Sequence, residues 1–408
     1  MLGRWLPPPR RPLRVMREYQ FGLHLARAHR LTIAFIADNP DSAGPISALR
    51  REFGDLEFAE VPRAWKSLSS AVRLATGESC TLSYFRSEAL RTRLAERLRR
   101  TRYDVVFVSS SSMIQYALEA DPSIPMVMDF GSVGSEWWLQ EGARGAFPGT
   151  RFFRTEAARL RAAEAAAAHR AAILIAETSE AGSIVASLAA GACPFVLPSG
   201  IDVEAFPAKR PTGKAPTMIF IVGLKGRAEI DHAAYFCESI VPAVRARVPR
   251  ARFVLASRDA AGVTARFAGV EVLASGSDLR LLFHDQTVAA APLRLGLDVR
   301  RSVLEPMAAG IPVVTTSGIR DELGAGEGRE LVSGDSPGEF AAQAIELLEN
   351  RARREEIGAG GRSFVRKTFS WEMVGIRLEE LLSTAVGTGR SGPTTPPKPR
   401  PLPARSGN

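Results

Sequence analysis

The chain has 408 residues, 45% of them hydrophobic and 24% charged, which suits two domains with buried cores and excludes a largely disordered polypeptide. Its formal net charge of +9 points to a phosphate-rich ligand, a nucleic acid or an acidic membrane surface, or merely to an arginine-rich composition. The arginines are scattered singly without interleaved aromatics, which argues against nucleic acid, and no run of about 18 apolar residues is present to span a membrane.

The opening MLGRWLPPPRRPLR has charge but no apolar segment, so it does not read as a signal peptide. Apolar runs then alternate with helical patterns. The runs are LTIAFIA (31–37), LEFAEV (56–61), DVVFV (104–108), PMVMD (125–129), AILIA (172–176) and PFVL (194–197). Between them lie amphipathic stretches such as SEALRTRLAERLRR (87–100) and RTEAARLRAAEAAAAHRA (154–171). Continuous apolar strands spaced by helices predict a parallel sheet covered on both faces.

PSGIDVEAFPAKRPTGKAP (198–216) breaks the pattern and reads as a linker. A second alternation follows: TMIFIVG (217–223), ARFVLAS (251–257), VEVLA (270–274), TVAAAPL (287–293), IPVVTT (311–316) and RELVS (329–333). Residues 231–248, 337–360 and 370–383 read as helices. The fold class is therefore α/β, with two doubly wound parallel-sheet domains. The expected boundaries are 1–200, a linker at 201–216, a second domain at 217–368, a helix at 369–383 returning toward the first domain, and a disordered Pro-rich tail at 384–408. Cys80, Cys193 and Cys237 are far apart and the five histidines show no ligand spacing, so neither a disulfide framework nor a metal site is expected. The expected compartment is a reducing cytoplasm.

One segment, RSVLEPMAAGIPVVTT (301–316), concentrates the chemistry. The strand TVAAAPL ends at the carboxyl edge of its sheet, where open α/β folds bind ligands. The loop that follows carries Arg294, Arg300 and Arg301, and a helix start there favours an anion such as a diphosphate. Glu305, on the first turn, has the chemistry to accept both hydroxyls of a ribose. Ala308, Ala309 and Gly310 allow close packing, and Gly310 is placed to end the helix. The competing reading is a capping box, with Ser302 as the cap and Glu305 reaching back to its amide; spacing alone favours the cap.

LEPMAAGIPVVTT resembles the LEAMAxGxPVVAT signature of retaining sugar-nucleotide transferases of glycosyltransferase family 4, which have the GT-B fold. LPSGIDVEAF resembles the PNGVDxxxF that joins their two domains. MREYQFGLHLARAHRLTIAFIAD, YDVVFVSSSSMIQY, DFGSVGSEWW and AAPLRLGLDVRRSVLE are similar, in order and spacing across residues 16–382, to the branch associated with exosortase (PEP-CTERM) and exopolysaccharide loci. The resemblance implies two Rossmann-like domains facing across a cleft, with a nucleotide-diphosphate sugar held by the second and the acceptor by the first. It implies transfer with retention to an exopolysaccharide or lipid-linked glycan, and no metal or other cofactor.

Carried over, Glu305 contacts the ribose, Gly223 belongs to the phosphate loop, and Lys225 and Arg227 neutralise the leaving diphosphate. Asp129, at the end of PMVMD, either touches a ligand or merely ends a strand. Ser135 and Glu136 are weaker candidates. Glu164 reads as a solvated or helix-packing residue, and His24 and His232 as surface groups. A basic enzyme of this kind is expected in loose contact with an anionic inner membrane.

The chain also departs from the pattern. A Glu-x7-Glu pair would need an acid at Leu297; the branch's MDYxPN becomes KGRAEI, placing Ile230 at the asparagine; its DVDS becomes SVGS, losing acids at Ser132 and Gly134. The buried first strand of the family is nearly absent, so either the start site is misplaced or the acceptor side has eroded. Two functions therefore stay open: an active transferase, or a non-catalytic GT-B scaffold that binds a nucleotide-sugar or a partner. An epimerase on the same fold is disfavoured, because the match is to transferases.

Overall fold

The computed structural model describes residues 1–3, 16–37, 43–60, 77–144, 149–206, 212–223, 227–257, 267, 269–274, 282–292 and 299–391. By internal contacts the described residues divide into unit 1, Met1–Ser199 with Val374–Ser391, and unit 2, Gly200–Met373.

Unit 1 contains strands β1 (Ile33–Ala37), β2 (Leu56–Glu60), β3 (Val106–Ser109), β4 (Met126–Asp129), β5 (Ile173–Ala176) and β6 (Phe195–Val196), all paired in parallel. β1, β4 and β5 are buried along their whole length, as β-branched and apolar runs covered on both faces must be. The expected gap in this sheet is filled by three residues. Leu2 bridges Ala34 of β1 on one side and Val108 of β3 on the other. Its amide donates to Phe107 O at 2.8 Å, and Ser109 N donates to Leu2 O at 2.7 Å. Ala34 N donates to Met1 O at 2.8 Å, and the Met1 amine to Thr32 O at 2.6 Å. Leu2 thus joins β2-β1 to β3-β4-β5-β6.

The long helix Gly149–Arg170 carries two fully buried carboxylates two turns apart. Glu156 holds the start of helix Cys80–Tyr84. Its oxygens accept from Cys80 N at 2.7 Å, Thr81 N at 2.9 Å and the hydroxyls of Ser79 and Thr81. Glu164 does the same for helix Gly134–Arg144, described below. Alanines along the rest of this helix leave room for neighbours to approach closely.

Unit 2 contains β7 (Thr217–Ile221), β8 (Arg252–Ser257), β9 (Glu271–Ala274), β10 (Thr287–Ala291), β11 (Val313–Thr315) and β12 (Val332–Ser333). They form one parallel sheet in the order β12-β11-β10-β7-β8-β9. Chain order therefore reverses direction between the neighbours β7 and β10. In doubly wound sheets the crevice at the carboxyl ends of such a pair is where ligands bind.

Two helix boundaries differ from expectation. The predicted helix 337–360 is two helices, Pro337–Glu349 and Arg351–Thr368, broken at Asn350. Asn350 leaves helical dihedrals (φ −98°, ψ 101°), and its side chain accepts from Arg353 N to cap the second helix. The last helix runs Trp371–Ser391, so residues 384–391, expected in the disordered tail, are helical; the rest of that tail lies outside the described residues.

Candidate functional site

The carboxyl ends of β7 and β10 in unit 2 bring two of the sequence candidates to one sheet edge. Gly223 follows β7. Beyond β10, a π-helical turn, Arg300–Leu304, runs straight into the α-helical turn Glu305–Ala308. Proline at 306 has no amide to give to residue 302 and its ring crowds that carbonyl, which a widened π turn relieves.

This geometry corrects the capping-box reading. Leu304, directly before Glu305, is already helical (φ −71°, ψ −36°), so residue 302 is inside the turn and not at its cap. The Ser302 hydroxyl is buried and donates instead to Ile221 O, the last residue of β7, at 2.5 Å. That bond ties the turn carrying Glu305 to the end of β7. Glu305 is half-buried at this edge.

The far end of the turn is fixed as firmly. Gly310 has φ 70°, its amide donates to Met307 O at 2.9 Å, and Ile311 N donates to Pro306 O at 2.9 Å, a Schellman ending. Met307 and Ala308 are fully buried. Helix Arg351–Thr368 lies so close that a Cβ on Gly358 would come within 2.2 Å of Gly310 O. Arg362 of that helix donates to Ala308 O, and also to Phe206 O at 2.9 Å. The small residues of MAAG are therefore needed for contact with a helix as well as with the sheet.

Lys225 and Arg294, and the side chains of Arg227, Arg300 and Arg301, lie outside the described residues. The backbone of Arg227 starts the helix Arg227–Tyr235 after β7, and Arg300 and Arg301 open the π turn.

Asp129, in unit 1, ends β4 but is fully buried. Its Oδ2 accepts from Arg17 Nε at 2.8 Å, and its Oδ1 from Arg17 Nη2 at 3.3 Å and from Gly131 N at 3.1 Å. Arg17 Nη2 also donates to Leu197 O at 2.7 Å. Burial disfavours the Arg17 charge, but the Asp129 carboxylate more than offsets it and holds the guanidinium above its usual range. This pairing leaves Asp129 turned into unit 1, which corrects the expectation of a ligand-facing carboxylate. It also identifies Arg17, which sequence reasoning passed over although it lies in the MREYQ stretch.

Beside Asp129, Ser110 follows β3 with φ 92°, the one positive φ outside glycine among the described residues. Its amide donates to Asp129 O at 3.1 Å and its hydroxyl meets that of Ser112 at 2.9 Å. A non-glycine residue held there is strained, and such strain concentrates at functional edges. Glu164 is not solvated, and of its two expected roles it takes the contact between helices. It accepts from Ser111 Oγ at 2.6 Å, Ser135 Oγ at 2.5 Å and Ser135 N at 3.1 Å. Burial pushes its carboxyl up, and these hydrogen bonds pull it back. Ser135, a weaker sequence candidate, is thereby assigned to Glu164, and Glu136 is half-buried beside it. His24 is half-buried with its Nε2 3.3 Å from Glu379.

Two Rossmann-like units of this topology in one chain define the GT-B fold class. The structure is similar over 94% of its length to HepE from Anabaena, solved with UDP and glucose (TM-score 0.57, 14% identity, 98% of that chain). It is similar over 93% to an E. coli protein described as trehalose-6-phosphate bound with UDP-2-fluoro glucose (TM-score 0.54, 13% identity, 98% of that chain).

In sequence, residues 215–350 match the family Glycosyl transferases group 1. A Corynebacterium glutamicum GDP-mannose-dependent monoacylated alpha-(1-6)-phosphatidylinositol monomannoside mannosyltransferase is 30% identical over 211 residues, 46% of this chain. That match spans about half of the relative's own length, 55%. No helix among the described residues is long and apolar enough to cross a membrane.

Proposed function

We propose that the chain is a retaining glycosyltransferase that takes a sugar from a nucleoside-diphosphate donor bound in unit 2 and passes it to an exopolysaccharide or lipid-linked glycan. The observation that supports this reading is the sheet edge of β7 and β10, where the Ser302–Ile221 hydrogen bond ties the turn carrying Glu305 to the strand that Gly223 follows. That edge falls inside the stretch that matches the group 1 family.

In this reading Glu305 accepts the ribose hydroxyls. The cations placed around the edge by sequence, Lys225, Arg227, Arg294, Arg300 and Arg301, oppose the charge that grows on the departing diphosphate. The acceptor hydroxyl attacks the anomeric carbon from the side the diphosphate leaves, which preserves configuration. Lys and Arg supply the electrostatics, so no metal is required. The net charge of +9 supports peripheral contact with an anionic membrane, where lipid-linked acceptors are found.

The test is calorimetric titration with UDP and GDP, followed by transfer assays with the matching nucleotide-sugars. Losing charge-assisted hydrogen bonds worth about 1.5–3 kcal/mol each, Glu305→Ala is expected to bind the preferred diphosphate at least tenfold more weakly, by order of magnitude. Unchanged affinity in Glu305→Ala removes the ribose role. A second reading, a donor-binding scaffold without turnover, is favoured by Leu297 at the position of the missing acid. Tight donor binding without sugar transfer or hydrolysis would select it.

A further inference from the structure

Helices Gly134–Arg144 and Gly149–Arg170 of unit 1 pack together as a hairpin that gathers exposed apolar surface. Among the described residues six large hydrophobic side chains are exposed, and three of them, Trp137, Leu139 and Phe152, stand on this hairpin, both aromatics included. Trp137 is 52% exposed and Phe152 36%. They join into one patch through Trp138, whose ring centroid lies 4.9 Å from that of Trp137 and 5.8 Å from that of Phe152. Trp138 itself is pinned. Its Nε1 donates to Thr81 Oγ1 at 2.9 Å, and that hydroxyl donates to the buried Glu156 at 2.8 Å. Glu164, which accepts from Ser111 and Ser135 just past β3 and β4, marks the carboxyl edge of the sheet. Its helix leads down to the amino end of β5, so the start of that helix points outward past this edge. Phe152 lies twelve residues before Glu164, about 18 Å farther out along the helix axis. Arg151 and Arg154, on either side of Phe152 in sequence, are exposed. The acids nearby, Glu136 and Glu141, are half-buried, and Glu136 accepts from Gln140 Nε2 at 3.5 Å.

We propose that this aromatic platform docks the chain on an anionic phospholipid bilayer, with Trp137 and Phe152 entering the headgroup boundary and Arg151 and Arg154 meeting the lipid phosphates. The inference rests on the membrane contact read above and deepens it, because net charge alone assigns that contact to no surface. Large rings with an apolar body suit the boundary between headgroups and acyl chains. An arginine beside them lays its stem along the apolar surface and keeps its head among the phosphates, where the negative leaflet attracts it. A second copy of the chain is a poorer occupant: symmetric pairing of this face sets the same arginines against each other. Docking in this way turns the carboxyl edge of the unit 1 sheet toward the bilayer, within reach of a lipid-linked acceptor.

The test is sedimentation of the full chain with phosphatidylcholine vesicles, with and without phosphatidylglycerol. Wild type is compared with Trp137→Ser, Phe152→Ser, the pair Arg151→Glu with Arg154→Glu, and Leu118→Ser, which removes an exposed apolar residue from helix Ile114–Leu118. Trp137→Ser and Phe152→Ser are each expected to lower partition onto phosphatidylglycerol vesicles about tenfold, the scale of the apolar area withdrawn. The arginine pair should abolish the preference for phosphatidylglycerol, and Leu118→Ser should bind as wild type does. All variants should keep the wild-type melting temperature and diphosphate affinity, since these side chains face solvent. Vesicle binding that survives both Trp137→Ser and Phe152→Ser, or falls equally in Leu118→Ser, overturns the platform and leaves a membrane contact elsewhere. Self-association that Trp137→Ser abolishes while vesicle binding persists makes the face an interface between copies and overturns the proposal. Absence of vesicle binding by wild type overturns the platform and the membrane contact together, while UDP and GDP titrations judge the transferase reading separately.

Discussion

Asp129 and Glu164 are carboxylates that the fold of unit 1 has closed around. Removing Asp129 strands the buried Arg17 guanidinium, which already has one nitrogen, Nη1, without a hydrogen-bond partner. Asp129→Ala is therefore expected to cost about 3–5 kcal/mol of stability, read from urea unfolding. Wild-type stability with abolished transfer would instead return Asp129 to the chemistry. Neither carboxylate's role was legible locally. Arg17 lies 112 positions from Asp129, and Ser111 and Ser135 lie 53 and 29 positions from Glu164. A lone acid among alanines gives no hint of such partners. Ser302 shows the reverse failure, because S-x-x-E spacing suggested a cap that Pro306 forecloses. Gly310 was legible, since a helix-ending glycine in a short motif depends on neighbours in sequence.

At the scale of elements, helix Arg351–Thr368 is positioned by what it lacks. Gly358 meets Gly310 O, and a Cβ on Gly360 would lie 2.0 Å from Arg329 O. Gly358→Ala gains about 1 kcal/mol of helix propensity but forces this helix off the Glu305 turn. A net loss of about 1–3 kcal/mol is expected, visible as a lower melting temperature, together with weaker diphosphate binding. Gly338, within helix Pro337–Glu349, has nothing within 4 Å of its Cβ position, so Gly338→Ala should stabilise by about 0.5–1 kcal/mol. Opposite signs at two helical glycines separate packing from propensity; equal signs would refute the packing argument. The twelve strands among the described residues were readable because each falls within a short, mainly apolar run. The break at Asn350 was not, because the amphipathic period continues through it and only the cap marks the stop.

For the whole molecule, sequence pattern yielded the α/β class but not the strand order, which depends on pairings between distant segments. The place of Met1–Gly3 was missed because three residues are too few to show a period. Their pairing buries the Met1 amine, and burial lowers it from its ordinary value of 8.0 to about 5. Between about pH 5 and 8 the unfolded chain holds one more proton than the folded one. Stability should therefore be complete above pH 8 and fall by roughly 2–4 kcal/mol as the pH drops toward 5. Denaturant titrations across that range check this, and acetylating the amine should flatten the slope. The same pairing has a consequence for biosynthesis. Leu2 needs both Ala34 and Val108, and the second follows the first by 108 − 34 = 74 positions. At about 5–20 residues per second, a ribosome leaves roughly 4–15 seconds in which the far side of Leu2 is open to the wrong strand. A nascent chain of this protein has most need of a chaperone before β3 emerges.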